Sequence, residues 1–189
     1  MKYSDIYRLY STSQPKDAIH QALREVPVDD SDEQYEDRSP LHLACQYGDT
    51  EGVKILLERD AEPNTKDANG STPIHILGRT SAGCADEDKL KEIAVMLIEQ
   101  GANIPRSAKN TTALIECIRN RTFKMAEAII DSGARVNSTD LNGENVLFGF
   151  CAASGDIRRD IRFAKKELDE SVQYRYPENK IEEIRSRIA

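Results

Sequence analysis

Apolar residues recur along the chain at steps of three and four positions, which is the spacing of a helix with one buried face. The segments 4–10 and 15–24 show this spacing and predict a helix pair close to the N-terminus, the second helix opening on a proline that suits a first turn. Three later runs end in pairs of large apolar residues, and Leu56, Leu97 and Ile129 stand at equivalent places in them. The pattern predicts a mainly α-helical chain in which these three side chains are buried.

Two more helices are predicted toward the C-terminus. Residues 156–170 place isoleucine, alanine and leucine on one face at steps of three and four, and arginine and lysine on the other face. Residues 178–188 carry isoleucines at the same steps and predict a last, shorter helix. We interpret the basic face of the first of these helices as solvated; the alternative is a docking patch for an acidic partner or for membrane headgroups.

One stretch of sequence returns after a fixed interval. The six residues from Ser39 read Ser-Pro-Leu-His-Leu-Ala, and the six from Thr72, which begin 33 positions later, read Thr-Pro-Ile-His-Ile-Leu. Gly-Ala pairs begin at positions 101 and 133, and Asn-Gly, a pair suited to tight turns, begins at positions 69 and 142. This pattern resembles the ankyrin repeat, whose signature is Thr-Pro-Leu-His-x-Ala on a unit of about 33 residues.

The resemblance implies an all-α fold, an ankyrin-repeat solenoid of helix pairs with short β-hairpin fingers and helical caps at both ends. We expect a single ankyrin-repeat domain over residues 1–189. An insertion from about 80 to 88 lengthens the second repeat and is expected to be the most mobile internal segment. The predicted parts are a degenerate N-terminal capping repeat at 1–35, repeats at 36–66, 67–106, 107–139 and 140–170, the last of them degenerate, and a C-terminal capping helix at 171–189.

Charge and cysteine content narrow the possible functions. With 26 basic and 33 acidic residues the net charge is −7, which argues against binding of nucleic acid, since phosphate neutralisation needs an excess of lysine and arginine. No apolar stretch approaches the roughly 20 residues that span a bilayer, and none near the N-terminus has the pattern of a signal peptide. We interpret Cys45, Cys117 and Cys151 as buried free thiols and Cys84 as an exposed one, which favours a cytoplasmic location. We expect a monomer.

The residues that could carry chemistry have a structural explanation in the repeat. His42 and Cys45, at positions i and i+3 of one predicted helix, could be two metal ligands or a nucleophile and its base. The repeat explains both, with His42 as the histidine that ties loops together by hydrogen bonds and Cys45 in the place of a small buried residue. The acidic stretch 29–33 lacks the turn glycine and the closing glutamate of a calcium-binding loop. We therefore expect no metal, no cofactor and no catalysis; an enzyme that uses Cys84 is a third hypothesis.

Ankyrin domains bind mainly through their finger tips and the concave side of the first helix in each unit, so the resemblance implies a partner-binding surface. The leading hypothesis is a protein–protein interaction scaffold that binds another protein there. The alternative is an inhibitory or immunity-type regulatory subunit that occludes an enzyme or a toxin. The residues assigned to this surface are Arg38, Gln46, Tyr47, Asn69, Ser71, Arg79, Lys109, Thr111, Arg119, Asn120, Leu141 and Glu144.

Basic residues on this surface suggest the character of the partner. Arg38, Arg79, Lys109 and Arg119 come from three successive units, and a regular stack would align them in a stripe. Such a stripe attracts anionic partners and makes binding sensitive to salt, even on a chain of negative net charge. The corresponding hypothesis is an acidic or phosphorylated segment of a partner protein.

Overall fold

Helices arranged in pairs make up the described part of the chain. The structure, a computed structural model, describes residues 1–12, 14–80, 86–103 and 112–134. Within these ranges the chain forms a short 3₁₀ turn at Glu33–Tyr35 and no β-strand. The all-α fold predicted from the sequence is therefore confirmed. The α-helices of these ranges are α1 (Tyr3–Ser11), α2 (Lys16–Glu25), α3 (Pro40–Gln46), α4 (Thr50–Leu57), α5 (Pro73–Arg79), α6 (Glu87–Glu99), α7 (Ala113–Arg119) and α8 (Phe123–Asp131).

The helices pack in two layers that follow the order of the chain. The inner helices α1, α3, α5 and α7 each contact the next inner helix, and the outer helices α2, α4, α6 and α8 do the same. The two helices of each pair also contact one another. We call α1 and α2 the N-terminal pair, and the pairs that begin with α3, α5 and α7 units one, two and three. Each unit covers an apolar face of its neighbour, as a repeat stack requires.

Local sequence determines where the inner helices of the three units begin. Ser39 and Thr72 are N-cap residues with extended backbone, and the proline that follows each of them occupies the first helical turn, where its missing N–H costs no hydrogen bond. In unit three Thr112 takes the same place, and its hydroxyl accepts a hydrogen bond from the N–H of Ile115. The repeated hydroxyl residue is thus a helix start in all three units.

The connection between units one and two is a tight turn at positions 67–71. The N–H of Gly70 donates to the carbonyl of Asp67, and the N–H of Asp67 donates to the carbonyl of Ser71. The N–H of Ala68 donates to the carbonyl of Glu36, which joins this finger to the preceding one. Asn69-Gly70 therefore makes the tight turn that its sequence predicts, and Gly70 has the positive φ of 67°.

Left-handed residues separate the inner and outer helices. Gly48, with φ 59°, lies between α3 and α4, and Arg121, with φ 62°, occupies the same place between α7 and α8. Glycine adopts this conformation without strain, whereas a residue with a Cβ is disfavoured in it by roughly 1–2 kcal/mol. Arg121 is exposed, so its side chain contributes no core contact that would offset this strain.

We expect Arg121→Gly to raise the free energy of unfolding by about 0.5 kcal/mol, because relief of strain exceeds the extra entropy of glycine in the unfolded chain. Thermal unfolding followed by circular dichroism measures the change. Gly48→Ala is the matched control and should destabilise, since it introduces a Cβ at the equivalent position. A lower melting temperature for Arg121→Gly would show that the side chain has a stabilising contact that outweighs the strain.

The core lies between successive units. Leu56, Leu97 and Ile129, on α4, α6 and α8, expose none of their surface, which confirms the burial predicted from their equivalent places in the sequence. Cys45 and Cys117 are buried free thiols, also as predicted. When the units pack, the apolar surface of these side chains is removed from contact with water. This burial is the main contribution to the stability of the stack.

The N-terminal pair lies where the sequence predicts it and contacts unit one through both of its helices. Arg59, which follows α4, donates hydrogen bonds to the carbonyls of Leu23 and Val26 at the end of α2. Those carbonyls have no partner within their own helix, so Arg59 supplies the bonds that the helix end lacks. The pair is therefore joined to unit one by polar contacts as well as by apolar packing.

Some predictions concern residues outside the described ranges. These are most of the insertion with Cys84, the fourth repeat with Cys151, and both C-terminal helices. The division of the chain into a capping repeat, four repeats and a capping helix stays a prediction. Among the helices that are described, none combines the length and the apolar character needed to cross a membrane.

Candidate partner-binding surface

His42 ties two units together from inside the stack. Its side chain is fully buried, and Nδ1 accepts a hydrogen bond from the N–H of Ser39 at 3.1 Å. Because a backbone N–H can only donate, the ring proton lies on Nε2, which donates to the carbonyl of Ser71 at 3.0 Å. Burial lowers the pKa of His42 to about 4, and the hydrogen bond to Ser71 opposes this shift. The loop-tying role predicted for His42 is confirmed.

The geometry gives Cys45 no partner for chemistry. Its thiol is fully buried, and burial raises its pKa far above the ordinary value. Both ring nitrogens of His42 are engaged in hydrogen bonds, Nδ1 with Ser39 of the same unit and Nε2 with Ser71 of the next finger, so the pair resembles neither a nucleophile with its base nor two metal ligands. Burial also raises the pKa of Cys117, to about 12. In the ranges that the structure describes, no three His, Cys, Asp or Glu side chains come together as metal ligands.

Arg38 is bound by residues of its own chain. Its guanidinium donates to Oε1 of Gln46 at 2.8 Å and pairs with the carboxylate of Glu36. Its Nε lies 3.7 Å from Oδ2 of Asp67 in the next finger, a carboxylate whose side chain is fully buried. Arg38 therefore links two fingers, and its positive charge is balanced by two carboxylates of the same chain.

A second ion pair joins units two and three. Nε of Arg79 lies 3.3 Å from Oε1 of Glu116, across the contact between α5 and α7. Nδ2 of Asn120 donates to the carbonyls of Gly78 at 3.1 Å and of Glu116 at 2.8 Å. Arg119, in the last turn of α7, is exposed. Arg79, like Arg38, is thus partnered by a carboxylate of this chain.

The remaining residues of the predicted partner-binding surface differ in their exposure to solvent. Ser71 is fully buried at the base of its finger, so its side chain is not available to a partner on this surface. Its burial follows from the contact of its carbonyl with His42, which draws the finger base into the core. Lys109, Thr111, Leu141 and Glu144 lie outside the described residues. The predicted positions that keep partial or full exposure are Arg38, Gln46, Tyr47, Asn69, Arg79, Arg119 and Asn120.

Tyr47 belongs to a cluster of aromatic side chains that we did not predict. The ring centroids of Tyr10 and Tyr47 lie 4.8 Å apart with an interplanar angle of 16°, which is a stacked arrangement. Those of Tyr7 and Tyr35 lie 4.3 Å apart, and those of Tyr3 and Tyr35 lie 5.6 Å apart. Tyr7 and Tyr10 lie three positions apart on one face of α1, so the two groups of rings adjoin, and burial and the nearby phenol of Tyr7 raise the pKa of Tyr47. We call these five residues the tyrosine cluster; the chain has seven tyrosines.

The sequence contains a signal for part of this cluster. Tyr3, Tyr7 and Tyr10 recur at steps of four and three, so they share one face of α1. Nothing in the spacing indicates that Tyr35, from the 3₁₀ turn, and Tyr47, from the end of α3, pack against that face. Contacts between separate elements of this kind become visible only in the folded chain.

A buried hydrogen-bond network fixes Tyr10 behind Tyr47. The hydroxyl of Tyr10 donates to Oδ2 of Asp49 at 2.7 Å, and Nε2 of His20 lies 3.0 Å from Oδ1 of the same carboxylate. A Cβ at Gly52 would lie 2.6 Å from Oδ2 of Asp49, so this network requires a glycine there. Burial, and then the charge of Asp49, raise the pKa of Tyr10. Asp49 and Tyr47 thus hold the ring of Tyr10 in one position, and His20 in turn holds the carboxylate of Asp49.

Comparison with known proteins agrees with the helix-pair architecture. Residues 22–77 match a family model described as "Ankyrin repeats (many copies)". Over 134 residues, 70% of this chain, the sequence is 31% identical to the neurogenic locus notch homolog protein 1 of Mus musculus, of which the match covers 5%. Over 69 residues, 36% of this chain, it is 38% identical to the transient receptor potential cation channel subfamily A member 1 homolog of Caenorhabditis elegans, of which 6% is covered. Over 115 residues, 58% of this chain, it is 33% identical to human Rabankyrin-5, of which 9% is covered.

Residues 22–77 match ankyrin repeats, and the resemblance seen in the sequence is confirmed. The matches span less than a tenth of the length of each of these relatives. Ankyrin repeats generally mediate protein–protein interaction, and the family is generally non-catalytic. The repeat stack is therefore of a kind whose surface generally binds other proteins.

Proposed function

We propose that this chain is a protein-interaction scaffold whose partner lies along the inner helices and the finger tips. One observation carries the proposal: three successive units each contribute partly exposed, polar or aromatic side chains to this side of the stack. Tyr47 comes from unit one, Asn69 and Arg79 from unit two, and Arg119 and Asn120 from unit three. A surface assembled from several repeats suits an extended partner segment that contacts each unit in turn.

The acidic-partner hypothesis concerns units two and three, where the side chains of Arg79 and Arg119 keep partial and full exposure. Arg38 and Arg79 are balanced by carboxylates of the chain itself, which reduces their attraction for a distant anion. Arg119 is exposed and is the last residue of α7, as Arg79 is the last residue of α5, so the two occupy equivalent positions on neighbouring inner helices. We propose that acidic residues of the partner lie against the exposed side chain of Arg119, beside the partly exposed side chain of Arg79.

A charge-altering variant tests this proposal. Arg79→Gln combined with Arg119→Glu should weaken binding of a partner captured by the wild-type chain by about tenfold, and more at low salt than at high salt. Glutamine is used at position 79 because a glutamate there would face Glu116 and could disturb the fold. Isothermal titration at two salt concentrations measures the effect, and circular dichroism checks that the helices are intact.

The matched control changes two exposed basic residues of the outer helices, Arg24→Gln with Lys54→Glu. If the control weakens binding and the inner pair does not, the partner uses the opposite side of the stack and the proposal is wrong. An enzyme or toxin that is captured as a tight one-to-one complex and loses its activity would favour the regulatory-subunit alternative over a scaffold.

A further inference from the structure

The tyrosine cluster is buried on one side and exposed to solvent on the other. Tyr3 and Tyr10 are buried, with 1% and 6% of their surface accessible, and they are part of the core. Tyr7 and Tyr35 are partly exposed, and Tyr47 is 41% exposed. In the ranges that the structure describes, Tyr47 and Met1 are the two large apolar side chains that are well exposed to solvent. We call Tyr7, Tyr35 and Tyr47 the tyrosine face.

The tyrosine face is held in place before any partner binds. Tyr47 stacks on Tyr10, and the hydroxyl of Tyr10 is bonded to Asp49, which His20 also contacts. Fixed aromatic rings lose little conformational freedom on binding, and this is one reason why tyrosine is enriched among the residues that dominate protein interfaces. A rigid, partly exposed aromatic surface is therefore suited to binding.

The charges around the face favour a cation. Residues 28–38 carry six carboxylates and one basic residue, Arg38, whose charge is balanced by Glu36 and Asp67. Glu33 lies in the same 3₁₀ turn as Tyr35 and is exposed. The other basic residues close in sequence are Lys2, at the start of α1, and Arg8, on α1, and both are exposed. The electron-rich ring faces of tyrosine attract cations, and neighbouring carboxylates add to this attraction while they repel anions.

We propose that the tyrosine face binds an arginine or lysine side chain of the partner segment, with the acidic finger 28–37 balancing its charge. The inference rests on the proposed function, because it assigns a residue type to one end of the same surface. The partner segment would then carry opposite charges at its two ends. It would be cationic where it meets the N-terminal pair and unit one, and acidic where it meets units two and three.

Selection from a random library of 12-residue peptides tests the inference. Peptides enriched by the wild-type chain over its Tyr47→Leu variant should contain arginine or lysine. Replacing that arginine by citrulline, which keeps the shape and removes the charge, should weaken binding by about tenfold in fluorescence anisotropy. Tyr47→Leu should abolish the difference between the two peptides, whereas Tyr47→Phe, which keeps the ring, should retain most of it.

Several results would overturn the inference. They are no enrichment at all, enrichment of acidic or purely apolar peptides, equal binding of the citrulline peptide, or a charge preference that survives in Tyr47→Leu. Should Tyr47→Leu fail to fold, Glu33→Gln with Asp37→Asn replaces it and must lower the preference for arginine. Preferential binding of a peptide of residues 156–170, the chain's own basic segment, or self-association that Tyr47→Phe leaves intact and Tyr47→Leu removes, would assign the face to this chain instead of a partner.

The two proposals fail in different ways. If a captured partner depends on Arg79 and Arg119 but binds Tyr47→Leu as well as the wild type, the scaffold proposal stands and the cation site is wrong. If the partner is indifferent to both sets of substitutions, both are wrong.

Discussion

Leu97→Ala should lower the free energy of unfolding by about 2–5 kcal/mol, the range for removing a leucine side chain from a packed core. Leu97 is fully buried on α6, and α6 packs against both α4 and α8. The cavity would therefore lie between units at the centre of the described stack. Small domains have only about 5–15 kcal/mol of stability, so this single change removes a large share of it.

Urea unfolding followed by circular dichroism measures the effect of Leu97→Ala. Glu92→Ala, an exposed residue of the same helix, is the control and should change stability by no more than about 0.5 kcal/mol. A loss for Leu97→Ala no larger than that of the control would mean that the outer helices of neighbouring units do not form a common core.

His42→Ala should destabilise the chain by about 2–4 kcal/mol, because it leaves the buried N–H of Ser39 and the carbonyl of Ser71 without the partner they share. The loss acts on the contact between units one and two. Chemical unfolding at pH 7 measures the change. Wild-type stability after removal of this side chain would show that the histidine does not hold the two units together.

The same histidine should make stability depend on pH. The pKa of His42 is about 4 in the folded chain, against 6.5 ordinarily, because burial disfavours the imidazolium. The unfolded chain therefore binds more protons between these values, and stability is lost as pH falls from about 6.5 to 4, by about 3 kcal/mol. His42→Ala should remove this part of the pH dependence. An unchanged slope of stability against pH in the variant would contradict the assignment.

The helices and their core positions could be predicted from the sequence because their causes are local. Ser39-Pro40 and Thr72-Pro73 start helices through contacts within one turn, and the burial of Leu97 follows from the spacing of apolar residues along a single helix. The structural role of His42 is tied to the same repeated motif. The sequence by itself therefore determined the class of fold, the helix starts and the residues that hold the units together.

The character of the binding surface was decided by contacts between units. Arg79 and Glu116 are 37 positions apart, and only the packing of α5 on α7 brings their charges together. In the same way Tyr47 meets Tyr10 because the N-terminal pair packs on unit one. Spacing along the chain predicts which face of a helix is apolar, but it does not determine which side chains of two different helices meet. The balance of charge on the surface and its aromatic end therefore follow from the tertiary structure alone.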